Sequence, residues 1–76
     1  MKIEVLGPGC SRCAALHENV LEAVRGAGAA CEVEKVTDMR RIAATGAIST
    51  PILVIDGEVK SAGRVLSPDQ IKQFLG

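Results

Sequence analysis

Cys10 and Cys13 stand three residues apart, directly after a short apolar run and directly before a long helical pattern. The stretch Gly7-Pro8-Gly9-Cys10-Ser11-Arg12-Cys13 holds two of the three cysteines and two of the eight glycines. Turn-forming residues and thiols therefore gather at one strand-to-helix junction. The remaining segments are expected to hold that junction in place.

Lys2-Ile3-Glu4-Val5-Leu6 alternates and then breaks at Gly7-Pro8-Gly9, which reads as a first strand. From Cys13, the apolar residues Leu16, Val20, Leu21 and Val24 recur at helical spacing, with Gly26-Ala27-Gly28 as the stop. Ala30 to Val36 reads as a second strand, with Cys31 and Val33 on one face and Glu32 and Glu34 on the other. Thr37-Asp38 offers a cap for a short helix carrying Met39, Ile42 and Ala43 and ending at Gly46. Ile52-Leu53-Val54-Ile55 is a strand buried on both faces. Asp56-Gly57 is a hairpin signal that returns the chain antiparallel through Glu58 to Ala62. Ser67-Pro68-Asp69-Gln70 opens a last helix, whose inward face is Ile71, Phe74 and Leu75.

The order β-α-β-α-β-β-α predicts an α/β domain spanning residues 1–76. It joins a parallel βαβ unit to a ββα unit. A mixed four-stranded sheet is expected, with the first strand near its centre and helices on both faces.

A chain of 76 residues supports one modest core; at this size only about 60% of the unfolded surface is buried on folding. Charged residues make up 24% and hydrophobic ones 47%, a globular profile. Nine basic residues balance nine acidic ones, and Phe74 is the lone aromatic. A nucleic-acid partner is not expected, because neither a basic excess nor a stacking platform is present. No apolar run approaches the roughly 20 residues of a membrane span, and Met1-Lys2-Ile3-Glu4 is unlike a secretory leader. A cytoplasmic protein without a membrane partner is expected. Three cysteines in such a chain point to a catalytic or metal-binding pair rather than a disulfide scaffold.

At a helix start the unpaired N–H groups and the helix dipole stabilise a thiolate. Cysteine pKa values fall there from about 8.5 toward ~3.5–7.5. Cys10, at the helix start with its sulfur outward, is the expected nucleophile toward a substrate disulfide. Cys13, one turn in, is the expected resolving thiol, leaving a Cys10–Cys13 bridge. Arg12 either adds positive charge that favours the thiolate or is an ordinary solvated side chain. The same two thiols also suit a soft metal, Cu(I) or Zn²⁺, so a metal-carrier module is the alternative. A four-ligand zinc site would have to recruit Cys31 and His17, and Cys31 is expected in the core.

Thr50-Pro51 precedes the buried strand, where proline is either an edge residue or a cis proline of a constrained site. The element order, Cys-x-x-Cys after the first strand, Thr50-Pro51 before the third, Asp56-Gly57 after it and Gly63 before the last helix together resemble the thioredoxin fold. The chain is similar to the small thioredoxin- and glutaredoxin-like redox-active disulfide proteins of archaea and bacteria. That resemblance implies a thiol–disulfide oxidoreductase or electron carrier that needs no cofactor and no metal. It puts the nucleophile on Cys10, the resolving thiol on Cys13 and the cis proline on Pro51. It implies that Thr50 offers its backbone to an extended partner, with Ser11, Arg12 and Gly63 supporting the site. Its implied partners are a disulfide-bearing protein substrate and a separate reductase, with the protein itself a monomer.

The chain departs from the pattern at Gly9, where thioredoxins carry Trp, and at Ser11-Arg12 between the cysteines. Ala62-Gly63 stands where glutaredoxins usually have two glycines. Glu4 occupies the offset of thioredoxin's buried Asp: it is either a proton acceptor for Cys13 or a strand-end charge reaching water. His17 shares a helix face with Cys13. It either tunes the thiols or packs and hydrogen-bonds. Small heavy-metal-associated domains also carry Cys-x-x-Cys after a first strand, but their order is βαββαβ and they give Thr50-Pro51 no role.

Overall fold

The first apolar run becomes an inner strand of the sheet, β1 (Lys2–Leu6), in a computed structural model that describes residues 1–28 and 30–75. The other elements are α1 (Ser11–Ala27), β2 (Glu32–Val36), α2 (Met39–Ala44), β3 (Ile52–Ile55), β4 (Glu58–Ala62) and α3 (Pro68–Leu75). The strands lie in the order β2-β1-β3-β4. β1 pairs parallel with β2 and antiparallel with β3, and β4 returns antiparallel along β3.

Strand alternation divides the apolar side chains between two faces. Ile3 and Val5 pack with Leu53 and Ile55 against Leu16, Val20 and Ala23 of α1 and Ile71 of α3. Leu6 turns the other way and joins Val36, Ile52 and Val54 under Ile42 of α2. β3 supplies both clusters in alternation, which is why it holds four apolar residues in succession. All four are buried.

The turn after β3 follows the Asp-Gly chemistry. Asp56 and Gly57 have φ of 51° and 82°, the paired positive angles of a type I′ hairpin. Asp56 also ties the hairpin to the start of β1. Its N–H donates to the Lys2 carbonyl at 2.8 Å, and its carboxylate accepts the Lys2 N–H at 2.8 Å. Leu53 faces Ser61 but Val54 faces Val59, so Lys60 is the extra residue of a bulge. Ser67 and Gln70 form a capping box at α3: the Gln70 N–H donates to the Ser67 hydroxyl and the Ser67 N–H to the Gln70 side chain. Asn19 of α1 donates to the Leu66 carbonyl at 2.9 Å and holds the approach to that helix.

Three details differ from the sequence reading. β2 starts at Glu32, and Cys31 precedes it, half-buried against the α1–α3 cluster. Met39 lies in water, leaving Ile42 as the buried residue of α2. Phe74 is not inward: the short stripe of α3 centres on Ile71, with Leu75 one turn on, and Phe74 falls to its side. The Lys60 ammonium sits over the Phe74 ring, 5.7 Å from its centroid.

Ile71 is fully buried and joins α3 to the sheet and α1. Ile71→Ala removes a large side chain from this cluster and is expected to cost about 2–5 kcal/mol. That is a large share of the stability of a small domain. Urea unfolding monitored by far-UV circular dichroism checks this: a midpoint unchanged from the parent would show that α3 does not close the core.

Candidate active site

The backbone stays in the sheet one residue beyond β1. Gly7 is buried, and its N–H donates to the Val36 carbonyl at 2.9 Å. Pro8 and Gly9 then carry the chain off the sheet, with Gly9 at φ 89°. Cys10 is the N-cap of α1, at φ −73° and ψ 170°, and its carbonyl accepts the Ala14 N–H at 3.1 Å. Ser11 and Arg12 occupy the exposed first turn, and Cys13 turns inward. The sheet and the helix thus hold one thiol out and one in. Cys10 is exposed, whereas Cys13 is 2% exposed.

Gly7 makes room for the inner thiol. A Cβ placed on Gly7 would overlap the Cys13 Sγ, and would lie 3.3 Å from Cys13 Cβ and 3.7 Å from Thr50 Cβ. The requirement is spatial, since the Gly7 backbone is not left-handed. Gly9 is the converse case, with positive φ and open space around its would-be Cβ. In the sequence alone Gly7 reads as turn punctuation. Its position as the third of an alternating Ile3, Val5, Gly7 series is the signal that it faces α1.

The two sulfurs lie 3.0 Å apart. The Cys13 thiol hydrogen-bonds the Cys10 sulfur, and that bond is the main cause holding the Cys10 pKa below that of an ordinary thiol. The backbone N–H groups of Cys13 and Arg12 act in the same direction. They do so as dipoles of the first helical turn, without a formal capping hydrogen bond from the sulfur. Burial pushes the Cys13 thiol up, and its bond to Cys10 adds to that. The pair is therefore split into an acidic outer thiol and a protonated inner one.

A second loop closes over the pair. The Thr50–Pro51 peptide bond is cis. Pro51 is buried and Thr50 half-buried beside Gly7. The Gly63 N–H donates to the Pro51 carbonyl at 2.9 Å. Gly63 has φ 75°, and a Cβ there would come within 2.7 Å of Ser49 Cβ, so glycine fits this position on both counts. Arg12 completes the ring: its guanidinium donates to the Gly63 carbonyl. Arg12 therefore reaches Cys10 through its backbone N–H while its side chain spans to the second loop. Ser11 remains a solvent-facing first-turn residue.

The other candidates separate from the thiols. Glu4 is 7% exposed and lies on the opposite sheet face from Cys13. It points with Leu6 to the α2 side, where its carboxylate accepts from the Arg41 guanidinium. Arg41 also approaches Glu34, at 3.7 Å, and Lys2 meets Glu34 at 3.5 Å. The bond to Glu4 raises the Arg41 pKa. An open cavity of about 360 Å³ lies here, lined by Glu4, Leu6, Arg41, Thr45 and Val59 among others, and no thiol borders it. His17 and Cys31 are half-buried. Among the described residues, no group of three or more His, Cys, Asp or Glu could hold a metal ion. Likewise, no helix among them is long and apolar enough to cross a membrane.

Comparison with known proteins finds similarity along the whole chain. Residues 1–76 match the family described as "Thioredoxin domain". A thioredoxin of Methanothermobacter thermautotrophicus is 43% identical over 75 residues, covering 99% of this chain and 97% of that protein. A thioredoxin of Methanocaldococcus jannaschii is 36% identical over 73 residues, covering 96% of this chain and 84% of that protein.

Two measurements test the site as built. In the reduced protein, the iodoacetamide alkylation rate of Cys10 should rise with pH at a midpoint below that of a free thiol. The sign follows from the lowered pKa: the fold favours the thiolate, so reactivity persists to lower pH and is lost only as pH falls through the shifted value. A midpoint at or above the free-thiol value would contradict the assignment. Gly7→Ala should displace the Cys13 sulfur and destabilise the fold by about 1–3 kcal/mol, read as a lower urea midpoint with faster alkylation of Cys13.

Proposed function

The chain belongs to the thioredoxin domain family and is a thiol–disulfide oxidoreductase, and from that premise we propose that Cys10 is its nucleophile and Cys13 its resolving thiol. The observation that carries this order is the split between the pair: an exposed thiol of lowered pKa, 3.0 Å from a buried thiol of raised pKa.

The Cys10 thiolate attacks one sulfur of the substrate disulfide. A Cys10–substrate bond forms, the substrate S–S bond breaks, and the leaving sulfur takes a proton. Cys13, losing its proton, then attacks the Cys10 sulfur. The mixed disulfide breaks, the second substrate thiol leaves, and a Cys10–Cys13 disulfide remains. Two electrons have passed from the dithiol to the substrate. Return to the dithiol takes two electrons from a separate reductase. Burial keeps Cys13 protonated until the mixed disulfide has formed, and hydrogen bonding keeps Cys10 reactive before it. The Pro51 carbonyl is taken by Gly63, so the loop from Ser49 to Pro51 is already ordered for a partner.

The proposal extends to setting. Residues 1–76 act as one domain and as a monomer, in the cytoplasm, on disulfide-bearing proteins. Three cysteines without a disulfide framework support a reducing compartment.

Single substitutions test the order of attack. Cys10→Ser should abolish reduction of a protein disulfide. Cys13→Ser should stall after the first step and accumulate a mixed disulfide, visible by mass spectrometry and released by dithiothreitol. Retained turnover in Cys10→Ser would reverse the assignment.

A further inference from the structure

Charge is segregated along this neutral chain. Residues 5–17, 39–55 and 59–68 contain all three loops around the thiols, and they hold no Asp or Glu. The same segments hold Arg12, Arg40, Arg41, Lys60 and Arg64. Several of these cations are answered locally: Arg41 by Glu4 and Glu34, Arg40 by Asp38, Lys60 by Glu58. Arg12 and Arg64 are exposed, and among the described residues neither has a carboxylate partner.

Among the described residues, Arg12 is held by the Gly63 carbonyl alone, one residue before Arg64. A carbonyl bond engages one face of a guanidinium that carries five donors, and a carboxylate is the stronger, bidentate partner. Ile48 is fully exposed on the loop that leads to Pro51, next to Ser49, which approaches Gly63. An isoleucine wholly in water at the rim of a reactive site offers apolar contact to a protein surface. A small dicarboxylate disulfide has nothing to cover it.

Resting on the thiol–disulfide reading above, we propose that this site selects protein disulfides flanked by acidic residues. On docking, Arg12 exchanges the Gly63 carbonyl for a carboxylate beside the attacked cysteine, and Arg64 adds a second positive charge. Arg12 is thus a specificity residue as well as a spacer between the thiols. Because the pair is at the surface, its effect is modest, salt-sensitive and felt mostly in association.

The test uses three disulfide-linked peptides of one length, with Glu, Gln or Lys on both sides of the cysteine, and dithiothreitol to regenerate the protein. The parent chain is expected to reduce the Glu peptide with a kcat/KM about threefold to tenfold above the Gln peptide, and the Lys peptide most slowly. The Glu-to-Gln ratio should fall toward one in Arg12→Gln and at high salt, and recover in part in Arg12→Lys. The ratio separates recognition from a merely structural loss, which would slow both peptides alike. Equal rates for the three peptides, or a ratio unchanged in Arg12→Gln, would overturn the inference and leave the oxidoreductase reading intact. Glutathione disulfide reduced as fast as the Glu peptide would overturn the choice of a protein partner. Reduction of none of them would overturn the proposed function and this inference together.

Discussion

The 3.0 Å contact between the Cys10 and Cys13 sulfurs joins two thiols that the fold has made unlike. On an exposed helix, two identical side chains one turn apart would differ only in their distance from the helix start. Here one caps the helix in water and the other is pressed against the sheet. The hydrogen bond between them then has a direction, from the buried proton to the exposed sulfur. Everything that keeps Cys13 buried therefore also activates Cys10: the missing Cβ at Gly7, the Thr50–Pro51 loop above it and the Gly63 bond behind that loop.

The sheet separates this chemistry from the half-buried ion pair of Glu4 and Arg41. Alternation sends Ile3 and Val5 toward α1 and sends Glu4 and Leu6 toward α2. Glu4 is consumed by Arg41, which lies across both Glu4 and Glu34 and anchors the short α2 to the sheet. A helix of six residues with one buried side chain has little apolar area to hold it down. The ion pair gives α2 a directional attachment that Ile42 alone would not.

The elements were legible because their signals are local. Period-2 runs, the Asp56-Gly57 turn, the Ser67–Gln70 cap and Gly28 each report a backbone geometry that depends on near neighbours. The thiols and Pro51 were legible for the same reason, as residue types with restricted uses. What local pattern could not show is what meets across the fold. Gly7 matters because Cys13 and Thr50 converge on it from two other segments. Arg12 matters because Gly63, 51 residues away, lies under its reach. Glu4 meets Arg41 across 37 residues. Phe74 fits a helical stripe on paper, and only the narrowness of the α3 contact moves it to the surface.

The strand order carries one further consequence, for synthesis. β1 is the first strand made, yet one of its edges is closed only by β3, and the Asp56 clamp on Lys2 comes just after that. A nascent chain holding β1, α1 and β2 therefore shows an open strand edge and half a core. Cys10 and Cys13 emerge early, but the Thr50–Pro51 and Gly63 segments that enclose Cys13 emerge late. The helix start that favours the Cys10 thiolate is thus made first, and the burial that sets Cys13 apart from it is completed only by the last third of the chain.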